Sequence, residues 1–148
     1  MPSANLTAVQ LALRAKVLTL STLPVEQSWE NVRFVPVAGL PYVEEQFVPG
    51  PQFLRGLTSG GMVEQRGMYV ILWYGVAETG LGDLTAGRDA LLALFPPESV
   101  ITTAAGDAVR IRGDVAPYAG QIRYDTPGWA YIAINIPWRV FTLNPITN

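Results

Sequence analysis

The chain contains no histidine and no cysteine. Histidine is the commonest general base and the commonest ligand for transition metals. Without either residue type, a zinc site of the usual kind cannot be built. Disulfide frameworks and cysteine nucleophiles are excluded outright, and the lack of cysteine fits a reducing compartment. Lysine is nearly absent too, Lys16 being the single copy. A serine nucleophile would have to rely on that lysine or on a carboxylate. No enzyme activity and no cofactor are expected.

Charge is sparse. Only 15% of the residues are charged, against 49% hydrophobic, and the net charge is −2. That is no polybasic surface, so free nucleic acid is not expected as an equilibrium partner. So few charges leave much of the surface without solvated groups, a balance that favours burial against partners. The alternative is a monomer with an unusually apolar skin. A basic leader followed by an apolar core is also missing from the first residues. The longest apolar run, Met68 to Ala77, is far short of the ~20 residues of a spanning helix, so no membrane partner is expected.

What is present is a chain of 148 residues, the size of one domain. Such a chain buries about 68–70% of its unfolded surface and needs no covalent staple. The expectation is one domain over 1–148, with 1–2 and 142–148 as flexible ends. Leu6, Val9, Leu13, Val17 and Leu20 recur at helical spacing and predict a helix from Ser3, its N-cap, to about Leu20. Pro24 forbids continuation. Gln27 to Pro36 begins irregularly, and Pro41 to Pro49 reads as a short strand. Gln52 to Gly61 reads as a glycine-rich loop or arm that nonetheless displays Phe53, Leu54 and Leu57. A strong strand follows over Met62–Val76, then a helix over Gly82–Phe95 that Thr79 or Asp83 would cap. Pro96-Pro97 stop it. Strands are predicted near Val100–Thr103, Ala108–Arg112 and Gly120–Tyr124, with a long last one from Trp129 to about Phe141. This order predicts α+β: a mainly antiparallel twisted sheet, two helices packed on one face, and a long loop or arm.

The two strongest strands are apolar on both faces. In one, Met68, Val70, Leu72, Tyr74 and Val76 alternate with Tyr69, Ile71, Trp73 and Gly75. In the other, Ala130, Ile132, Ile134, Ile136 and Trp138 alternate with Trp129, Tyr131, Ala133 and Asn135. A one-sided antiparallel sheet would show a polar face. Two helices can cover one side only. Tyr69, Ile71, Trp73, Trp129 and Tyr131 are therefore candidates for a face that meets a neighbouring subunit, with Phe53, Leu54, Arg55 and Leu57 of the arm beside them. A sheet curled on itself is the other way to cover them. Arg110 and Arg112 project the same way from one strand and form a candidate electrostatic docking strip, or else a solvated edge that deters stray pairing.

Gly75 to Gly82 sits between strand and helix with glycines spaced as in a phosphate-binding loop. Leu81 stands where that loop needs lysine, and Gly82 where it needs serine or threonine. The segment reads as a tight glycine turn. Glu44 and Glu45 are adjacent and point to opposite faces, so they are no acid–base pair. No dense oxygen loop for calcium is present.

The ordered set Ser28-Trp-Glu-Asn-Val-Arg-Phe-Val-Pro36, Pro41-Tyr-Val-Glu44, Arg66-Gly-Met-Tyr-Val-Ile-Leu-Trp-Tyr74, Thr79-Gly80, Leu94-Phe-Pro96 and Ile134-Asn-Ile-Pro-Trp-Arg139 resembles the tail terminator, or tail completion, proteins of long-tailed bacteriophages. The resemblance covers roughly residues 3–140. It implies a virion protein at the head-proximal end of the tail, assembled in the host cytoplasm. It implies a homo-oligomeric ring, hexameric in the family, that caps the tail tube protein and ends its polymerisation. The ring then offers a joining surface to the head completion or connector protein, and DNA passes through without specific binding. A head–tail connector or tail tube protein of similar fold is the neighbouring reading. A small-ligand domain with the aromatic face as its pocket is the reading of another class.

Overall fold

A computed structural model of the chain describes residues 5–54, 62–80 and 82–143. Helix α1 spans Leu6–Leu18, capped by Asn5, whose side chain accepts from the Ala8 N–H at 3.0 Å. The expected cap, Ser3, lies outside the described residues. Val9, Leu13 and Val17 are fully buried, as their spacing predicts. Strand β1 is only Glu26–Ser28, followed by β2 (Tyr42–Leu54) and β3 (Met62–Val76). Helix α2 (Gly82–Leu94) leads to β4 (Val100–Thr102), β5 (Ala108–Ile111), β6 (Tyr118–Ala119) and β7 (Trp129–Leu143). Thr79 does not cap α2; its hydroxyl donates to the Val76 carbonyl at 2.7 Å.

The seven strands form one sheet in the order β1-β2-β3-β7-β5-β4, with β6 on β7. β1 runs parallel to β2 and the other pairings are antiparallel. The sheet is therefore mixed and curled into a half-barrel, not simply antiparallel. The fold class is α+β, as expected.

β2 is longer than the sequence suggests. Pro49 and Pro51 cannot donate to the ladder, and a strand carrying them should stop or bulge. Here it bulges: the register shifts between Pro49 and Gln52, then pairing resumes to Leu54. The Gln65 side-chain amide donates to the Gly50 carbonyl and bridges the irregularity. So Gln52, Phe53 and Leu54 belong to a strand, not to an arm. The rest of the expected arm, with Arg55 and Leu57, lies outside the described residues.

The helices cover one face. Their Leu13, Val17, Leu84, Leu91 and Phe95 pack on Tyr69, Ile71, Trp73, Ile132, Ile134, Ile136 and Trp138. Two close approaches set the spacing. Gly87 of α2 lies against the Trp73 ring, where a Cβ would fall 2.6 Å from ring carbons. Gly67 of β3 lies beneath the Trp138 indole, with which it is directly paired. Trp138 is in turn stacked with Phe47, centroids 5.4 Å apart.

One charged group is sealed under α1. The Glu45 carboxylate, on β2, accepts from Arg14 at 2.5 and 3.0 Å, from Gln10 at 2.8 Å and from the Tyr69 hydroxyl at 2.6 Å. The Arg14 guanidinium also lies over Trp29, 5.2 Å from the ring centre. Burial pushes the Glu45 carboxyl up, but the bonds from Arg14, Tyr69 and Gln10 outweigh it and hold the carboxyl below the usual glutamate value. Burial and the facing carboxylate push the Tyr69 phenol far above the tyrosine range.

Two outcomes follow. Gly67→Ala should cost ~1–3 kcal/mol, since the new methyl must displace a packed indole; denaturant unfolding measures it, and no loss would mean that Trp138 is free to move. Glu45 titrates lower in the folded than in the unfolded chain. Its stabilisation is therefore complete above the unfolded value of ~4.3 and lost as pH falls through the folded one. Glu45→Gln should lower stability at pH 7 by ~3–5 kcal/mol, by leaving Arg14 without its counter-ion, and should shrink the acid-side loss seen in pH-dependent unfolding.

Candidate functional site

The second face of the sheet has two ends with different chemistry. At the end where β2 begins, β3 stops and β7 starts, an aromatic group runs across three strands. Tyr42 and Tyr74 stack with centroids 4.3 Å apart, Tyr131 lies 4.8 Å from Tyr74, and Trp129 meets Tyr42 edge-on at 5.5 Å. Phe34, in the connection before β2, covers Tyr42 at 5.3 Å, and the Trp129 indole N–H donates to the Leu40 carbonyl at 3.3 Å. Burial first, then the Glu44 carboxylate, push the Tyr74 phenol well above the usual tyrosine value.

The candidate interface residues are thereby divided. The register pairs Trp73 with Ile132 and Tyr74 with Tyr131. Directly opposed residues share a face, so Trp129 and Tyr131 lie on the opposite side from Tyr69, Ile71 and Trp73. The latter three are buried by the chain's own helices and keep no surface for a neighbour. That corrects the single five-residue face. Alternation within one strand tells the two sides apart but not which side of another strand joins them.

The other end of this face is cationic and apolar. Arg66 of β3 is directly opposite Arg139 of β7, which is directly opposite Arg110 of β5. Like charges so placed destabilise a sheet. Carboxylates offset them: Glu64, almost fully buried, bonds Arg66 at 2.6 Å and lies 3.8 Å from Arg139. Glu98 approaches Arg110 at 3.5 Å and Arg139 at 3.7 Å. Arg112, just past β5, is held by Asp114 at 2.7 and 3.0 Å, and those bonds keep the Asp114 carboxyl well below the usual aspartate range. The neutralisation is incomplete, since the three arginines of the row share two carboxylates, Glu64 and Glu98; the Arg139 Nε is in addition buried with no acceptor.

Beside the row lies an open groove of about 370 Å³, walled by Val48, Pro51, Phe53, Met68, Arg66 and Arg112. Arg66 sits over the Phe53 ring at 5.0 Å. Of its walls Val48 is exposed, and exposed Leu54 points to the other side of the hairpin. Thus the structure brings together Phe53, Arg112 and Arg110 of the candidate residues. It adds Arg66, Arg139, Glu64, Val48 and Met68, which sequence reasoning did not select. Their signal was the register, which places residues 66, 110 and 139 side by side. Among the described residues no group of acidic side chains is arranged to hold a metal ion, and no helix is long and apolar enough to cross a membrane.

A family model described as phage tail terminator protein matches residues 8–138. The chain belongs to that family. It is a structural protein of the phage tail and a virion component. No curated protein matches the chain significantly. Among solved structures, one chain without a functional description is 20% identical with a TM-score of 0.72, covering 97% of this chain and all of its own length. A chain from the virion of a native gene transfer agent particle is 16% identical with a TM-score of 0.60, covering 95% of this chain and 100% of that one. At these identities the likeness is one of fold.

For a terminator-family subunit, the charged end must be stable before it can be used. Glu64→Gln should destabilise the chain by roughly 3 kcal/mol, because Arg66 and Arg139 are left facing each other without their shared anion. Thermal melts in low and high salt check this: salt should restore part of the loss by screening the arginines. An unchanged melt would show that Glu64 does not hold the row.

Proposed function

We propose that the chain forms a closed ring, hexameric as the family resemblance implies, on the last ring of tail tube subunits. The ring ends tube polymerisation and presents a fresh surface to the head completion or connector protein, and DNA passes through it. The observation that carries this reading is the family match over residues 8–138. The subunit's surface supports it. A ring needs a head-to-tail interface with two unlike patches on each copy. The aromatic end of the second face and the arginine–apolar end are unlike, and they sit at opposite ends of the same long strands. Several large apolar side chains are exposed at both, Val35 and Leu40 at one and Val48, Phe53 and Leu54 at the other. An obligate ring contact would bury on the order of 2,000 Å² or more, which a chain with so few surface charges can supply.

The test is electron microscopy of tail tubes grown with and without the protein. Tubes should grow without a fixed limit alone, and stop with a ring at one end when it is added. Light scattering on the purified chain should give a discrete ring mass. Filaments of the purified chain would instead favour a tube protein. Tubes that ignore the protein, together with a strict monomer, would overturn the reading.

A further inference from the structure

The arginine row is more than a stabilising feature, because it is costly and incompletely neutralised. Arg66, Arg139 and Arg110 are side by side across three strands, yet the Arg139 ion pairs are long and its Nε is buried without an acceptor. The groove beside it, with Val48, Phe53 and Met68, offers apolar contact next to that charge. Such a surface suits a protein segment carrying a few carboxylates among apolar groups. It does not suit DNA: Glu64, Glu98 and Asp114 are interleaved with the arginines, whereas phosphate tracking needs a run of unopposed cations.

The complement is found on the chain itself. Glu26, Glu44, Glu78, Asp83 and Asp125 lie where β1 and β2 begin, β3 ends, α2 begins and β7 starts, and they outnumber the arginines of that end, Arg123, which bridges Tyr131, and Arg33, next to Phe34. Asp83 and Asp125 are exposed there. Exposed Val35 and Leu40 stand at the same end. One end of the sheet is therefore acidic with apolar groups, and the other is cationic with an apolar groove.

We propose that the groove and arginine row of one copy receive the acidic end of a second copy, and that this is the head-to-tail contact of the oligomer. The inference rests on the ring reading above and names the two surfaces that meet. Opposite charges then set both the direction and the register of the contact, since like ends repel.

The experiment is a charge swap read by light scattering over a concentration series, with circular dichroism melts to establish folding. Arg110→Glu with Arg112→Glu should leave a folded single chain, and Asp83→Arg with Asp125→Arg should do the same. An equimolar mixture should recover the wild-type mass, because in an alternating ring the intact arginine end of one variant meets the intact acidic end of the other, and the two reversed ends meet with their charges exchanged. Moderate salt should lower the wild-type mass by screening the contact. If Arg110→Glu with Arg112→Glu fails to fold, the acidic-end variant alone decides the matter. A folded variant that keeps the oligomer mass, or a mixture of folded variants that stays monomeric, overturns this contact while the tube-capping result still judges the ring. A wild-type chain that is monomeric at every concentration also overturns it.

Discussion

The Glu45 carboxylate ties the layers together. It sits on the buried face of β2 and gathers Arg14 and Gln10 from α1 and the Tyr69 hydroxyl from β3. The Glu30 N–H adds a long contact at 3.4 Å, and the Glu30 carboxylate accepts from the Phe47 N–H at 2.5 Å, so the connection before β2 is drawn in as well. Replacing such a network by packed apolar groups could be equally stable. What it supplies is position. Leu13 points straight into the core while Arg14, one step round the helix, reaches the sheet edge of that core. Both can be satisfied at only one rotation of α1. With α1 fixed, α2 settles where Gly87 admits the Trp73 ring, and the whole helical layer is committed to one side.

That commitment explains which parts of the fold can be read from the chain. The helical spacing of Val9, Leu13 and Val17 and the alternation of β3 and β7 report local periodicity, and the structure follows them closely. β1 is invisible because Glu-Gln-Ser has no strand-like pattern; it forms only because the β2 edge is there to pair with. The end of β2 is hidden behind Pro49 and Pro51, which read as a stop but are absorbed by a bulge. Both faces of β3 are apolar for different reasons: one meets the helices, and the other carries the Tyr42–Tyr74–Tyr131 ladder under Phe34. Periodicity cannot distinguish those reasons, so the aromatic residues merge into one face until the pairing of Tyr74 with Tyr131 separates them.

The candidate site shows the same limit more sharply. Arg110 and Arg112 stand out because they are two apart in one strand. Their partners Arg66 and Arg139 come from distant positions, and Glu64 looks like a surface charge in a strand that runs out of the helical cover. Pairing converts these scattered residues into a row, and burial of Glu64 shows that the row is held from beneath. The sparse charge of the composition thus has a spatial meaning. Many of the few ionic groups are spent on internal ties such as Arg14–Glu45 and Arg66–Glu64, so much of the outer surface is apolar.

A surface of that kind is poorly suited to isolation in water and well suited to contact. The structural role of a tail protein requires no reacting group, and chemistry that depends on histidine or cysteine has no side chains here to run on. It requires instead that one subunit carry two different surfaces at a fixed distance and orientation. The three central strands supply that distance: β2, β3 and β7 are 13 to 15 residues long and rigidly paired. At ~3.3 Å per residue, the eight residues from Tyr74 to Arg66 on β3 and from Tyr131 to Arg139 on β7 hold the aromatic end and the arginine row roughly 26 Å apart. The tie at Glu45 keeps the helices on one side of this span, so the opposite side keeps its groove open at the far end. Stability and the proposed assembly contact are then separated in space, with the buried Glu45 carboxylate serving the first and the half-buried arginine row assigned by the proposal to the second.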